Sequence, residues 1–278
     1  MNPIDKIISW AKKEEQIKVL MLTGSLVGNG SRDELSDYDV AVFTTDVKKY
    51  ANDDSWIHSI EKVWVYEPHF LQKNNKKYPT RLVIYKDGLQ VDFAIFDLEH
   101  LKNLKKEKTL PVEYNLGYKI LLDKENLTKD LQQPDYKYPF AKKPTQEEFD
   151  LVVSVFFFEA FKEAKALFRK DLWHAKIRDW STKKRLLKMI EWNEKVKNGW
   201  NYDTNCDGKR MQSWVSQETW KMAHEIFARF DEVDSFEKLK KTIDIFHKIS
   251  VQIADALGLK YSDNLYKNVS NFIKNLNL

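Results

Sequence analysis

TGSLVGNGSRDELSDYDVAVFTTD, residues 23–46, decides how this chain is read. It opens where the apolar run Val19–Thr23 (VLMLT) stops at Gly24-Ser25. It closes on a second run, Tyr38–Thr44 (YDVAVFT), that starts at Ser36-Asp37. Both runs have the length and composition of strands, and a loop of Gly28, Asn29, Gly30 and Ser31 joins them. A glycine at a strand end lets backbone N–H groups approach a phosphate closely, and the Ser25 hydroxyl adds a donor. Asp37 and Asp39 stand two apart in extended chain, so their carboxylates point to one face. Like charges held that close repel, and a divalent metal between them is the natural remedy.

A third acid lies further along. Thr80–Tyr85 (TRLVIY) and Leu89–Phe96 (LQVDFAIF) flank Lys86-Asp87-Gly88, a strong hairpin signal. Val91 and Phe93 face the core with Leu89 and Ile95, which leaves Asp92 as an acid in the middle of an apolar strand. Such an acid costs free energy unless it is paired or bound to metal. If its strand neighbours Tyr38–Thr44, then Asp37, Asp39 and Asp92 converge, and three oxygen donors suit Mg²⁺. The plain alternative is a loop whose acids cap a strand start, with Asp92 solvated on an edge.

Around this nucleus the chain falls into halves of different periodicity. Its 278 residues suggest two domains. Residues 1–143 mix strands with helices. Asn2 caps a first helix with Pro3 in its first turn and Ile4, Ile7, Ile8 and Ala11 as an apolar stripe, and Trp64–Tyr66 reads as a short third strand. Pro134, Pro139 and Pro144 mark a connection. In residues 144–278 Thr145-Gln-Glu-Glu148 matches a capping box. It precedes a stripe of Phe149, Val152, Val153, Phe156, Ala160, Ala164 and Leu167. Helices over Leu172–Lys197, Gln217–Phe230 and Phe236–Leu257 follow, the last stopped by Gly258. The expected fold class is α+β: a mixed β-sheet flanked by helices, then an all-α helical bundle.

Composition excludes several classes. Lys plus Arg number 46 against 42 Asp plus Glu, a net charge of +4 with no concentrated basic stripe, so no nucleic-acid partner is expected. Cys206 is the only cysteine, which fits a reducing cytoplasm and makes it a small core or loop residue. The N-terminal residues become charged too soon for a secretory signal, and no apolar run spans a membrane.

The stretch 23–40 followed by VDF (91–93) resembles the nucleotidyltransferase superfamily of the DNA polymerase β type, and within it the aminoglycoside 6-adenylyltransferase (streptomycin adenylyltransferase) family. DELSDYDVAVFTTD, VDFAIFDLEHLKNL, LLDKENL, KKPTQEEFD, LFRKD and LLKMIEW resemble that family's blocks in the same order, over most of the chain. The resemblance implies a nucleotidyltransferase domain at 1–143, a helical acceptor-binding domain at 144–278 and an active site in the cleft between them. It makes Asp37 and Asp39 ligands of two Mg²⁺ ions. Asp92 becomes the third carboxylate, binding metal and assisting deprotonation of the acceptor, and Gly24 and Ser25 hold the triphosphate. The implied reaction transfers AMP from ATP to a hydroxyl of a streptomycin-like aminoglycoside, a form of antibiotic resistance; a cytoplasmic monomer is the default expectation. The family commonly has Arg directly after Gly-Ser. Here the residue is Leu26, and Arg32 or Lys209 are the cations that could stand in.

An aminoglycoside is a polycation, so its pocket should be acidic and aromatic. Glu159, Asp171, Trp173 and His174 are the candidates, within a wider set of Glu163, Asp179, Asp203, Asp207, Trp180 and Trp200. Competing readings are a related transferase acting on a lincosamide, another small alcohol or a protein side chain, and a non-catalytic regulatory protein. A tRNA- or DNA-directed polymerase ranks below these.

Overall fold

The computed structural model describes residues 3–28, 33–73, 75–137 and 141–276. The chain divides into two compact units, Met1–Tyr138 and Pro139–Leu278. The proposed helix cap Asn2 and the loop residue Arg32 lie outside the described residues.

The first unit is built on a six-stranded sheet. Its elements in chain order are α1 (Pro3–Lys13), β1 (Ile17–Thr23), β2 (Tyr38–Thr44), α2 (Val47–Asn52), α3 (Ser55–Ile60), β3 (Val63–Lys73), β4 (Lys76–Tyr85), β5 (Gln90–Asp97), α4 (Leu98–Lys106), α5 (Val112–Asn115) and β6 (Lys119–Asp123). The strand order is β3-β4-β5-β2-β1-β6. Only β2 and β5 run parallel; every other neighbouring pair is antiparallel. The hairpin forms at Asp87-Gly88, both in left-handed backbone at φ 65° and 77°. That geometry follows the strand twist, as two-residue hairpin turns require.

Strand alternation sends side chains to two apolar layers. Val40, Val42, Phe93 and Ile95 pack with Ile7, Trp10 and Trp56 of the helices on one face. Met21, Ala41, Phe43 and Phe96 pack with Leu101, Leu104 and Tyr114 on the other. Sheets covered on both faces read as near-continuous apolar runs, which is why β1 and β2 stand out in the sequence. The two edge strands differ most from expectation. β3 runs on to Lys73 rather than stopping at Tyr66, and β6 forms the opposite edge where no strand was expected.

The second unit is helical: α6 (Gln146–Phe168), α7 (Leu172–Asn198), α8 (Met211–Trp214), α9 (Gln217–Ile226), α10 (Glu232–Leu257) and α11 (Asn264–Lys274). The Thr145 capping box is closed in both directions, with the Glu148 amide donating to Oγ1 at 3.2 Å and the Thr145 amide donating to Glu148 at 2.9 Å. Gly258 ends α10 in the left-handed conformation at φ 68°. Phe156 and Phe246 stack at the centre, 3.5 Å between ring centroids. No helix among the described residues is long and apolar enough to cross a membrane.

Candidate active site

Three register pairs between the parallel strands build the site from the bottom up. Asp39 lies beside Asp92, Ala41 beside Ala94, and Phe43 beside Phe96. All six share one face because each strand alternates. The phenylalanines stack at 5.6 Å and close the floor. The alanines are too small to fill the space above them. The carboxylates stand at the far end. The result is a pocket of about 200 Å³ whose lining includes Thr23, Thr80, Lys73 and Glu113 besides the two acids.

Gly24 sits against this pair. It opens a 3-10 turn, Gly24–Leu26, at φ 74°. A Cβ there would lie 1.9 Å from Oδ2 of Asp39. Glycine is therefore required twice, by backbone conformation and by contact. Thr23 pairs with Asp39 across β1 and β2, its hydroxyl donating to the Asp39 carbonyl at 3.4 Å. Gln90 donates to Oδ1 of Asp92 at 3.2 Å.

Asp37 lies just before β2, half-buried. The structure thus brings Asp39 and Asp92 into register, with Asp37 two residues upstream. Among the described residues no group of three or more His, Cys, Asp or Glu side chains is gathered to hold a metal ion. The donor set still suits a Mg²⁺-type ion, which characteristically takes one or two carboxylates and completes its shell with water and substrate phosphates. The Thr80 hydroxyl, buried in the lining without a hydrogen-bond partner, is a polar atom that a ligand would satisfy.

Leu26 packs against the apolar layer beneath the sheet. Lys73 and Glu113 were not picked out from sequence. They form an ion pair in the pocket lining, and the chain distance between them hides it. Behind them His100 is buried, its ring 4.4 Å from that of Phe96. Burial first, and then the Lys73 charge, push its pKa down from 6.5 to about 4. The folded state then binds fewer protons than the unfolded one between those values. This contribution to stability is whole above about pH 6.5 and is lost as pH falls to about 4, amounting to about 3 kcal/mol. Urea midpoints for His100→Leu should be flatter over that window than those of the unaltered chain. An unchanged slope removes His100 from the account.

The residues singled out in the helical unit sit in varied surroundings. Glu159 is tied to Arg178 at 3.0 Å, with Lys162 4.0 Å away. His174 Nε2 accepts from Arg178 Nε at 3.2 Å. Asp171 precedes α7 without capping it. Trp173 is 75% exposed. Glu163 is 1% exposed, and burial pushes its carboxyl well above the usual range, aided by the nearby Asp179. Asp179 pairs with Lys183 at 2.5 Å. Lys209 follows Gly208 in a turn whose carbonyl accepts from Trp214 at 2.9 Å. Asp207 borders an apolar pocket of about 420 Å³ with Trp180, and Trp200 packs on the helical core. Asp203 accepts from the Asn205 amide at 2.8 Å, and Cys206 is exposed.

A mixed sheet that sets carboxylates side by side on a parallel strand pair, next to a Gly-Ser turn, is the arrangement of a nucleotidyltransferase. The streptomycin adenylyltransferase family model matches residues 2–276, and the chain belongs to that family. It is 26% identical to an aminoglycoside 6-adenylyltransferase of Campylobacter jejuni over 97% of this chain and 92% of that one. A Staphylococcus aureus protein of the same name is 24% identical, over 98% and 96%. The crystal structure of a Bacillus subtilis aminoglycoside 6-adenyltransferase aligns at a TM-score of 0.48 and 20% identity, over 98% of this chain and 96% of that one.

Proposed function

We propose that this chain transfers AMP from ATP to a hydroxyl group of a streptomycin-like aminoglycoside and releases pyrophosphate. The observation that carries the reading is the register of Asp39 with Asp92 beside Gly24. The names of the relatives support the acceptor class.

In this reaction the acceptor oxygen bonds to the α-phosphorus. The bond from that phosphorus to the bridging oxygen breaks, pyrophosphate leaves with the electron pair, and the hydroxyl proton passes to a base. Asp39 and Asp92, with Asp37 upstream, would hold Mg²⁺, two ions in the full proposal. Bound there, magnesium would supply charge neutralisation at the α-phosphate. Gly24, having no Cβ, leaves the approach to Asp39 open. Ser25 offers its hydroxyl to the phosphates, and Asp92 takes the acceptor proton. The cation that Leu26 does not supply falls to Arg32 or Lys209. Glu159, Asp171 and His174 stand among Lys162, Lys165, Arg169 and Arg178, surroundings that repel a polycation, so they do not enter this proposal.

The acid pair reads phosphate and not acceptor, so the acceptor needs its own test. Pyrophosphate release should be measured with ATP, Mg²⁺ and a panel of alcohols. Streptomycin is expected to support turnover. Turnover with a lincosamide but not with streptomycin would replace the acceptor and keep the chemistry. No release with any acceptor would remove the transferase reading.

A further inference from the structure

The elbow between α6 and α7 gathers positive charge that the proposed transfer does not use. Lys162 and Lys165 on α6 and Arg169 at its C-terminal cap stand at spacings of three and four, so they share a face. Asp171 just before α7, and His174 and Arg178 on it, repeat that spacing. Both rows line one pocket of about 230 Å³. The elbow is tight because Lys170 takes the left-handed conformation at φ 60°, with the Asp171 amide donating back to the Ala166 carbonyl at 2.9 Å. This is the closure that usually calls for glycine.

The cations are unevenly committed. Arg178 is held by Glu159 and His174. Lys162 rests over the Phe158 ring, 4.5 Å from its centroid, and near Glu159. Lys165 rests over the Phe161 ring at 5.4 Å and makes no ion pair among the described residues. Arg169 is exposed, and its guanidinium has no hydrogen bond or ion pair among the described residues. Four cations therefore face two carboxylates, Glu159 and Asp171, of which only Asp171 lines the pocket.

We infer that this pocket binds a phosphate-class oxyanion of about the size of pyrophosphate. Arg169 supplies a planar fork suited to two oxygens, and Lys165 and Lys162 supply point charges. The pocket is several times the roughly 30 Å³ that one water occupies. No metal is needed, and the site does not depend on the transfer reaction proposed above.

The test is calorimetric titration of the full chain with inorganic pyrophosphate, without divalent ions, alongside orthophosphate and ATP. Arg169 is exposed and Lys165 half-exposed, so Lys165→Gln with Arg169→Gln should leave the melting temperature unchanged. It should weaken pyrophosphate binding at least tenfold. Weakening of pyrophosphate alone assigns the site to a free anion. Weakening of ATP in parallel assigns it to a nucleotide's phosphate tail. Either outcome supports the site. No binding at millimolar pyrophosphate, or equal affinity in the double variant, overturns it. A chain that is inactive with every acceptor, yet binds pyrophosphate through these two residues, would remove the transfer proposal and leave this one intact.

Discussion

Exchanging Asp39 for Asn is expected to lower AMP transfer by about three orders of magnitude or more, with little loss of fold. Asn keeps the shape of Asp but gives up the charge and one of the oxygens a hard cation would take. Asp92→Asn should have an effect of similar size on kcat, because β2 and β5 set the two acids side by side and neither can substitute for the other. Both variants relieve repulsion between like charges in register, so melting temperatures should hold or rise slightly. Asp37→Asn is the informative companion. A loss as large as that of Asp39→Asn assigns the upstream acid to the same ion, and a small loss confines that role to the strand pair. Transfer at the unaltered rate from the Asp39 or the Asp92 variant would rule out the metal role.

The acids were legible in the sequence because strand period and turn chemistry fix a face without fixing a partner. Asp92 stands out between Val91 and Phe93, and Asp87-Gly88 sets where its strand begins. The parallel pairing with β2 was stated only as a condition, since the connection from Thr44 to Gln90 passes through two helices and two strands. The part of β3 beyond Tyr66 escaped because the strand is an edge. Trp64, Val65 and Phe70 are all exposed, and Glu67-Pro68-His69 interrupts any apolar alternation. β6 escaped because five residues bounded by lysines and acids carry too little pattern, although β1 pairs with them on its far side. In the helices the difficulty was the reverse. Glu163 falls on the stripe of Phe156, Ala160 and Leu167, so its position was legible as core, yet a carboxylate is ordinarily read as surface. Which helix charges pair across an elbow, as Glu159 does with Arg178, depends on a packing that spacing along one helix does not contain.

Replacing Gly24 by Ala should separate the geometry of the site from the charge of its acids. Two costs act at once. Backbone at φ 74° disfavours any side chain, a penalty of about 1 kcal/mol. The new Cβ would also fall 1.9 Å from Oδ2 of Asp39, so the carboxylate must turn away. Gly88→Ala is the control for the first cost alone, because Gly88 has φ 77° and nothing within 4 Å of its Cβ position. The expected result is comparable destabilisation in the two variants but a loss of kcat/KM for ATP of about a hundredfold or more only in Gly24→Ala, since displacements of an ångström at reacting groups cost that much. If the position of the Asp39 carboxylate matters, Gly24→Ala must lose activity although both aspartates remain. If Gly24→Ala matches Gly88→Ala in kcat/KM, the acid pair works without the fixed placement that the glycine turn gives it, and the phosphate-binding role of that turn goes with it.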